Sequence, residues 1–274
     1  MQLSALCFER GQGELCLSLN SYLSLGSELK SYTFSLSNLL SSTTYYFRMY
    51  VKLAGGVFYG DVAQAKTLDT APVDNNKTIN GHKFVDLGLP SGLLWAETNI
   101  GAAKPADAGN YYAWGETEPK STYSWSTYKY GTSSSDLTKY NSDDLKTSLD
   151  LEDDAAYVNW GSSCRMPTAD EFGEILKTSN CTWTWTSMTT SDGSSINGYK
   201  VTSVKNGNSV FLPASGYRSG GFLNSHGSGG YYWSSTRGSY GSNFAYYLDF
   251  YSNDHSQDDY NRYYGLPIRP VAEP

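Results

Sequence analysis

The side chains best suited to chemistry lie near the C-terminus, in residues 230–270. Aromatic strand sequences at 231–233 and 245–248 alternate there with runs of serine, glycine, tyrosine and aspartate. Tyrosine offers a large contact area with little rotamer entropy to lose, whereas serine, glycine and asparagine offer adaptable hydrogen bonds. This composition predicts recognition of another molecule rather than catalysis.

We predict that the contacts lie within residues 237–261, on loops 237–243 and 252–262 and on a strand at 244–251. The outward residues of that strand are expected to be Tyr247, Asp249 and Tyr251. The full set of candidate ligand-binding residues is Tyr240, Ser242, Asn243, Tyr247, Asp249, Tyr251, Asn253, Asp254, His255, Asp258, Asp259 and Tyr260.

These candidates have different expected roles. Buried aromatic side chains usually anchor an interface, and the expected anchors are Tyr240, Tyr251 and Tyr260. The carboxylates that favour a cationic or hydroxyl-rich ligand belong to Asp254, Asp258 and Asp259. The residues of this segment assigned to the core are Trp233, Leu248 and Phe250.

Catalytic arrangements are poorly supported. A nucleophilic serine needs a base, and the histidines His82, His226 and His255 are not in a Gly-x-Ser-x-Gly setting. Aspartates of the C-terminal run could pair for glycoside hydrolysis, but carboxylates in polar loops are mostly solvated. No phosphate loop, HExxH or CxxC motif is present. We therefore predict a binding protein rather than an enzyme, with no catalytic residue, cofactor or metal site.

Charge and hydropathy limit the partners. The formal net charge of −7 disfavours nucleic acid and anionic lipid. No apolar run reaches the roughly 18 residues that a membrane span needs. The N-terminus has no basic segment followed by an apolar one, so no signal peptide is visible. The expected partner is a protein or glycan.

The four cysteines form two suggestive pairs. Cys7 and Cys16 flank a turn and could face each other across a hairpin, and Cys164 and Cys181 bracket a short helix. Neither pair has the spacing of a metal site. Four buried free thiols and two bridges in an oxidising compartment both remain open.

The sequence of residues 1–68 predicts a domain made of short strands. The segment 39–51 resembles the fibronectin type III pattern of leucine, two turn residues, threonine and a corner tyrosine, which would be Tyr45. Alternation predicts that Tyr45, Phe47, Met49 and Val51 point inward. A complete sandwich takes about 100 residues. We therefore expect that the first strands are truncated; otherwise an exposed edge would remain through which the chain could assemble.

A polar linker at 69–81 precedes a second domain at 82–272. Its expected strands are at 83–87, 93–96, 182–186, 199–204, 210–212, 231–235, 244–251 and 263–269. Its expected helices lie at 151–160 and after Thr168, where Thr168 and Glu171 form a capping box. The acidic run at 150–154 fits a helix N-terminus better than a calcium loop. The fold class is α+β with more strand than helix.

Six motifs of the second domain resemble a bacterial family, the Fibrobacter succinogenes major paralogous domain. They are FVDLGLPSGLLW (84–95), YAWGET (112–117), CRMPT (164–168), NSVFLPASGYR (208–218), YYWSS (231–235) and YYGLPIRPV (263–271). The resemblance implies a C-type-lectin-like fold in which the first and last strands pair and a loop-rich lobe carries the ligand surface. It also implies an extracellular or cell-surface adhesion protein or lipoprotein of Bacteroidota, with the export signal truncated.

Some proteins with this fold are diversified by retroelements that rewrite adenines near the 3′ end of the gene. Rewriting an Asn codon yields the residue types of the polar C-terminal run, but not Gln257, which we expect to be constant. The family usually has Trp where this chain has Cys164, and that departure favours a Cys164–Cys181 bridge.

Two alternatives to a recognition protein remain. A structural subunit of a surface fibre would have the edge of the first domain filled by another chain. The sequence RMPTADE at 165–171 also resembles a signature of formylglycine-generating enzymes, which share the fold. Those enzymes use reactive cysteines in their C-terminal third, and none follows Cys181. We therefore interpret this motif as structural.

Overall fold

The computed structural model describes residues 2–9, 14–17, 23–24, 44–53, 55–66 and 76–274, and side chains at 44–46, 55–66 and 77–274. The chain divides into two compact units, Met1–Val73 and Asp74–Pro274. No helix of the described residues is long and apolar enough to cross a membrane.

The described strands of unit 1 form one six-stranded antiparallel sheet. They are β1 (Gln2–Glu9), β2 (Glu14–Leu17), β3 (Leu23–Ser24), β4 (Thr44–Leu53), β5 (Gly56–Tyr59) and β6 (Ala63–Lys66). Cys7 lies directly opposite Cys16 in the β1–β2 register, as the hairpin prediction requires. Tyr45 is half-buried. The side chains of Phe47, Met49, Val51 and both cysteines lie outside the described set, so their predicted roles stay predictions.

Unit 2 is mostly β-structure with two α-helices, which agrees with the expected loop-rich α+β class. Its first elements are β7 (Asn76–Ile79), β8 (His82–Asp86), β9 (Leu94–Ala96), α1 (Ala155–Trp160), β10 (Cys164–Arg165) and α2 (Ala169–Leu176). Its remaining strands are β11 (Cys181–Thr189), β12 (Ser195–Ser203), β13 (Ser209–Pro213), β14 (Tyr217–Ser219), β15 (Phe222–Asn224), β16 (Gly229–Arg237), β17 (Phe244–Tyr251), β18 (Asp254–Asn261) and β19 (Val271–Ala272).

The last strand closes the sheet formed by the first strands of unit 2. The order is β10-β19-β9-β8-β7, so β19 lies between β9 and β10. The predicted linker differs from the structure, because residues 76–79 pair with β8. The predicted strand at 263–269 is also wrong. This segment has only isolated bridges, and regular pairing begins at Val271.

Both helix starts follow from their capping residues. Thr168 and Glu171 form the predicted capping box of α2. The predicted helix at 151–160 is divided, because a 3₁₀ turn at Leu151–Asp153 precedes α1. The Asp154 carboxylate accepts hydrogen bonds from the backbone N–H groups of Ala156 and Tyr157, and so caps α1.

The antiparallel sheet β16-β17-β18 separates two buried clusters. Successive strand residues point to opposite faces. Trp233 therefore packs in one cluster, whereas Leu248 and Phe250 pack in the other. All three were predicted to be core, and they are buried. The predicted loop at 252–262 is wrong: after a two-residue turn the chain continues as β18, paired with β17 along its length.

A candidate ligand-binding face

The register of β16, β17 and β18 divides the predicted contacts between two faces. Tyr247 pairs with Asp258 and Trp233, and Asp249 pairs with Ser256 and Tyr231. Because directly paired residues point to the same side, one face gathers tyrosine and aspartate side chains. We call it the tyrosine face and define it by Tyr217, Tyr231, Tyr247, Tyr251, Tyr260, Tyr263 and Tyr264.

The rings of the tyrosine face form a continuous network. Tyr260 stacks on Tyr264 with ring centroids 4.3 Å apart, and Tyr264 stacks on Tyr263 at 4.4 Å. Tyr217, from the β14–β15 hairpin, contacts Tyr231 edge-on at 4.9 Å. Each such pair adds about 0.5–1.5 kcal/mol to the energy of burial. The network is therefore a rigid surface that needs little ordering when it binds.

Gly229 allows two of these rings to meet. A Cβ atom at this position would lie 3.0 Å from the Tyr251 ring and 3.1 Å from the Tyr231 ring. The two tyrosine hydroxyl groups are hydrogen-bonded to each other. Tyr251 nevertheless keeps 42% of its surface exposed, so it is available as the predicted anchor.

Three carboxylates border the tyrosine face without a cation among the described residues. They belong to Asp249, Asp254 and Asp258, and none takes part in a salt bridge of the described chain. Burial raises the pKa of Asp249, and the charges of Asp258 and Asp254 raise it further. A hydrogen bond of 2.7 Å from the Ser256 hydroxyl opposes that rise. The three carboxylates together concentrate negative charge that no described cation neutralises.

The prediction that Tyr247 is an exposed contact residue is wrong. It was expected to point outward, but it is only 6% exposed because Tyr231, Trp233 and Tyr260 pack around it. Burial raises its pKa, and the neighbouring carboxylates of Asp249 and Asp258 add to the rise. The alternation of side chains along the strand correctly predicted which side of the sheet Tyr247 lies on. It could not predict that aromatic side chains would cover Tyr247 there.

The remaining candidates lie elsewhere. His255 is on the opposite face, stacked on Trp183 with ring centroids 4.5 Å apart, and burial lowers its pKa. Asp259 accepts a hydrogen bond of 3.2 Å from the backbone N–H of Tyr240, whose side chain is 84% exposed.

The other polar candidates lie in loops and turns beside the sheet. The Asn243 side-chain amide donates a hydrogen bond of 3.1 Å to the side-chain oxygen of Asn261. The other two, Ser242 and Asn253, lie on the 238–243 loop and in the β17–β18 turn.

Sequence reasoning missed part of the face. Tyr263 and Tyr264 were assigned to framework, and Tyr217 was considered only as part of a family motif. Trp125 extends the network through Tyr263 at 5.0 Å. Trp125 and Tyr217 are far from 237–261 in sequence, and Tyr263 and Tyr264 lie just beyond it, so no single local pattern unites them. The signal available was the number of tyrosines, 24 in all.

The acidic run near residue 150 is an ion-pair network. Asp150, Glu152 and Asp153 form the single convergent group of potential metal ligands in the described chain. The Lys139 Nζ atom lies 2.7, 3.0 and 2.5 Å from their oxygens, respectively. The ammonium group of Lys139 therefore occupies the position that a metal ion would take.

The cysteines of unit 2 are free and buried. Of the two possibilities left open, the Cys164–Cys181 bridge does not form: Cys164 pairs with Ala272 in one sheet and Cys181 with Ser203 in another. Burial raises the pKa of Cys164 and raises that of Cys181 to about 11. Neither thiol resembles the low-pKa cysteine of a reactive site. Arg165 pairs with Glu171 at 2.6 Å, which suits the structural interpretation of the RMPTADE motif.

The structure describes part of the exposed sheet edge in unit 1 through which the chain was predicted to assemble. Strand β5 exposes Val57, Phe58 and Tyr59, and Val62 follows it, also exposed. Assembly through this edge stays a prediction.

The chain matches no protein-family model, no curated protein and no solved structure. The fold and the site define a mostly β, loop-rich α+β protein with a ring-packed tyrosine surface bordered by carboxylates.

Proposed function

We propose that the chain is a surface-displayed recognition protein and that the tyrosine face of unit 2 binds its ligand. The observation that supports this most is the ring network, which holds partly exposed tyrosines rigidly on three strands and a hairpin. Binding to a preorganised aromatic surface loses little conformational entropy. The ligand would be a protein or glycan.

Family membership, surface location and diversification are parts of this proposal that rest on the sequence motifs. One structural detail supports the expected constancy of Gln257. Its side-chain amide donates to the carbonyl oxygen of Ala169 at the start of α2, on the face opposite the tyrosines. A change there would remove a hydrogen bond between the edge strand and α2, whereas the side chains of Asp254 and Asp258 are exposed.

Sequencing this locus in related strains tests diversification. We expect substitutions to concentrate at the exposed positions of β18 and its flanking turns, while Gln257, Leu248 and Phe250 stay unchanged because they are packed or hydrogen-bonded. A reverse transcriptase gene and a template repeat should lie nearby. Scattered silent changes along the whole gene would refute diversification.

The double substitution Tyr251→Ala with Tyr260→Ala tests the face. Ligands would first be selected for the wild-type full chain from a phage-displayed random-peptide library and an immobilised glycan panel. We expect the double variant to bind them at least about thirtyfold more weakly, since even one anchor tyrosine contributes about 2 kcal/mol. Surface plasmon resonance would measure the affinities.

The matched control removes two exposed tyrosines from unit 1, Tyr46 and Tyr59, and should bind like the wild type. The single variant Tyr251→Ala guards against misfolding, because this side chain is more exposed than that of Tyr260. Unchanged binding of the Tyr251/Tyr260 variant would show that the face is wrongly assigned.

A further inference from the structure

One hydroxyl group of the tyrosine face has no partner in the described protein. Tyr247 is nine-tenths buried, yet its hydroxyl makes no hydrogen bond with any described residue. It is not fully enclosed either, because among the described residues the single enclosed side-chain atom without a partner is Nε1 of Trp95. Asp258 is the cross-strand partner of Tyr247, and Asp249 lies two residues further along the same strand, on the same face. An unpaired polar group in such a position is suited to a ligand atom.

The spacing of the carboxylates suits an organic cation better than a metal ion. Asp249 is opposite Ser256, so Asp254 and Asp258 are its two diagonal neighbours. Diagonal Cβ atoms are roughly 7–8 Å apart, and these carboxylates do not converge as metal ligands do. An ammonium group has three donors and a guanidinium group has five. Either can span two separated carboxylates and a hydroxyl oxygen.

Aromatic rings flank the same place. Tyr231 is paired with Asp249, and its ring lies 6.0 Å from the Tyr247 ring and 6.1 Å from the Tyr251 ring. The faces and hydroxyl oxygens of tyrosines attract cations. Among the described residues, no lysine or arginine forms an ion pair with these carboxylates, so this charge is free to act on a ligand.

We propose that the tyrosine face binds a basic protein segment, with a lysine or arginine side chain docked against Tyr247 between Asp249 and Asp258. This rests on the proposed function and gives it a ligand class. A segment of protein fits better than a small amine, because the rings continue away from the carboxylates through Tyr260 and Tyr264 to Tyr263. A small amine would leave that surface uncovered, whereas neighbouring residues of a segment would cover it.

The test uses the full chain and a fluorescein-labelled peptide of alternating lysine and serine, followed by fluorescence anisotropy. Two matched peptides carry norleucine or glutamate in place of lysine. We expect binding of the lysine peptide only, weakening as salt is added. The double variant Asp249→Asn with Asp258→Asn should bind it about tenfold more weakly, and Tyr247→Phe about threefold more weakly.

The control variant Asp61→Asn with Glu118→Gln removes the same charge from exposed positions elsewhere and should bind within a factor of about two. An equal loss in this control would mean unspecific attraction and overturn the proposal, as would equal binding of the norleucine peptide. Displacement of the peptide by equimolar spermidine would show that the occupant is a small amine, which also overturns it.

Failure of this proposal can be separated from failure of the proposed function. If the library-selected ligands need Tyr251 and Tyr260 but neither Asp249 nor Asp258, the face binds ligands of another class and only the basic segment is refuted. If those ligands need none of these residues, both proposals fall.

Discussion

Replacing Arg269 by methionine is expected to lower the free energy of unfolding of unit 2 by about 3 kcal/mol. The guanidinium group is fully buried and forms no salt bridge with a carboxylate of the described residues. Its Nε atom donates to Asn99 Oδ1 at 2.8 Å, and its Nη atoms donate to the carbonyl oxygens of Ala96, Glu97 and Phe211 at 3.0, 2.9 and 2.9 Å.

Methionine would fill a similar volume but leave these four oxygens without donors. Each buried acceptor left without a partner costs about 1–3 kcal/mol. Part of that loss is offset, because burying the guanidinium is itself unfavourable and lowers the pKa of Arg269 to about 10. The hydrogen bonds outweigh this cost, since the side chain joins its own segment to two others, residues 96–99 and Phe211.

Urea unfolding followed by tryptophan fluorescence measures this effect in unit 2 alone, because all 7 tryptophans lie there. Arg218→Met is the matched control. It removes a half-exposed guanidinium lying 5.1 Å from the Tyr111 ring centre and should cost less than about 1 kcal/mol. Arg269→Lys should remain destabilised, since an ammonium cannot reproduce the planar fork. An Arg269→Met variant as stable as the control would contradict this account.

Asp153→Asn is expected to destabilise unit 2 by about 2 kcal/mol at neutral pH, and the difference should shrink in acid. The carboxylate is buried and accepts hydrogen bonds from the hydroxyl groups of Tyr130 and Tyr140. Lys129 and Lys139 approach it at 3.0 and 2.5 Å. Burial alone would raise its pKa, but these four donors lower it from 3.8 to about 2.

The direction of the pH effect follows from that lowered pKa. The unfolded chain binds the proton more readily than the folded chain, so the charged carboxylate stabilises the fold fully above pH 3.8. The contribution is lost as the pH falls toward about 2. Unfolding of wild type and Asp153→Asn at pH values from neutral to acidic should therefore give converging stabilities.

Glu152→Gln is the control for the network, because Glu152 pairs with the same Lys139 at 3.0 Å but is 78% exposed. It should change the stability by less than about 0.5 kcal/mol, as exposed pairs do. A gap between wild type and Asp153→Asn that did not narrow in acid would rule out the charged carboxylate as the stabilising group.

Local patterns in the sequence were sufficient for several elements. The strand at 244–251 has the predicted bounds. The capping box of Thr168 and Glu171 was predicted from a four-residue spacing. These predictions are correct because the signals for strands and helix caps depend on residues within a few positions of one another.

Other features depended on contacts between distant segments. The polar sequence of residues 254–261 predicts a loop, but backbone hydrogen bonds to β17 make it a strand. Residues 263–269 have the apolar and aromatic character of a strand. They are instead held by isolated bridges and by the buried Arg269 side chain. Propensity is a weak guide where tertiary pairing decides the backbone.

The candidate site shows the same division. Composition alone predicted that recognition would rely on tyrosine and aspartate near the C-terminus, because those side chains suit adaptable contacts whatever the fold. Only the tertiary structure decided which of them share a surface. Strand register separated His255 from Asp254, and packing buried Tyr247. Tyr217, Tyr263 and Tyr264, which all lie outside the predicted segment, completed the ring network. The physical reason is that a face is defined by pairing and packing across the chain, which short-range sequence patterns do not encode.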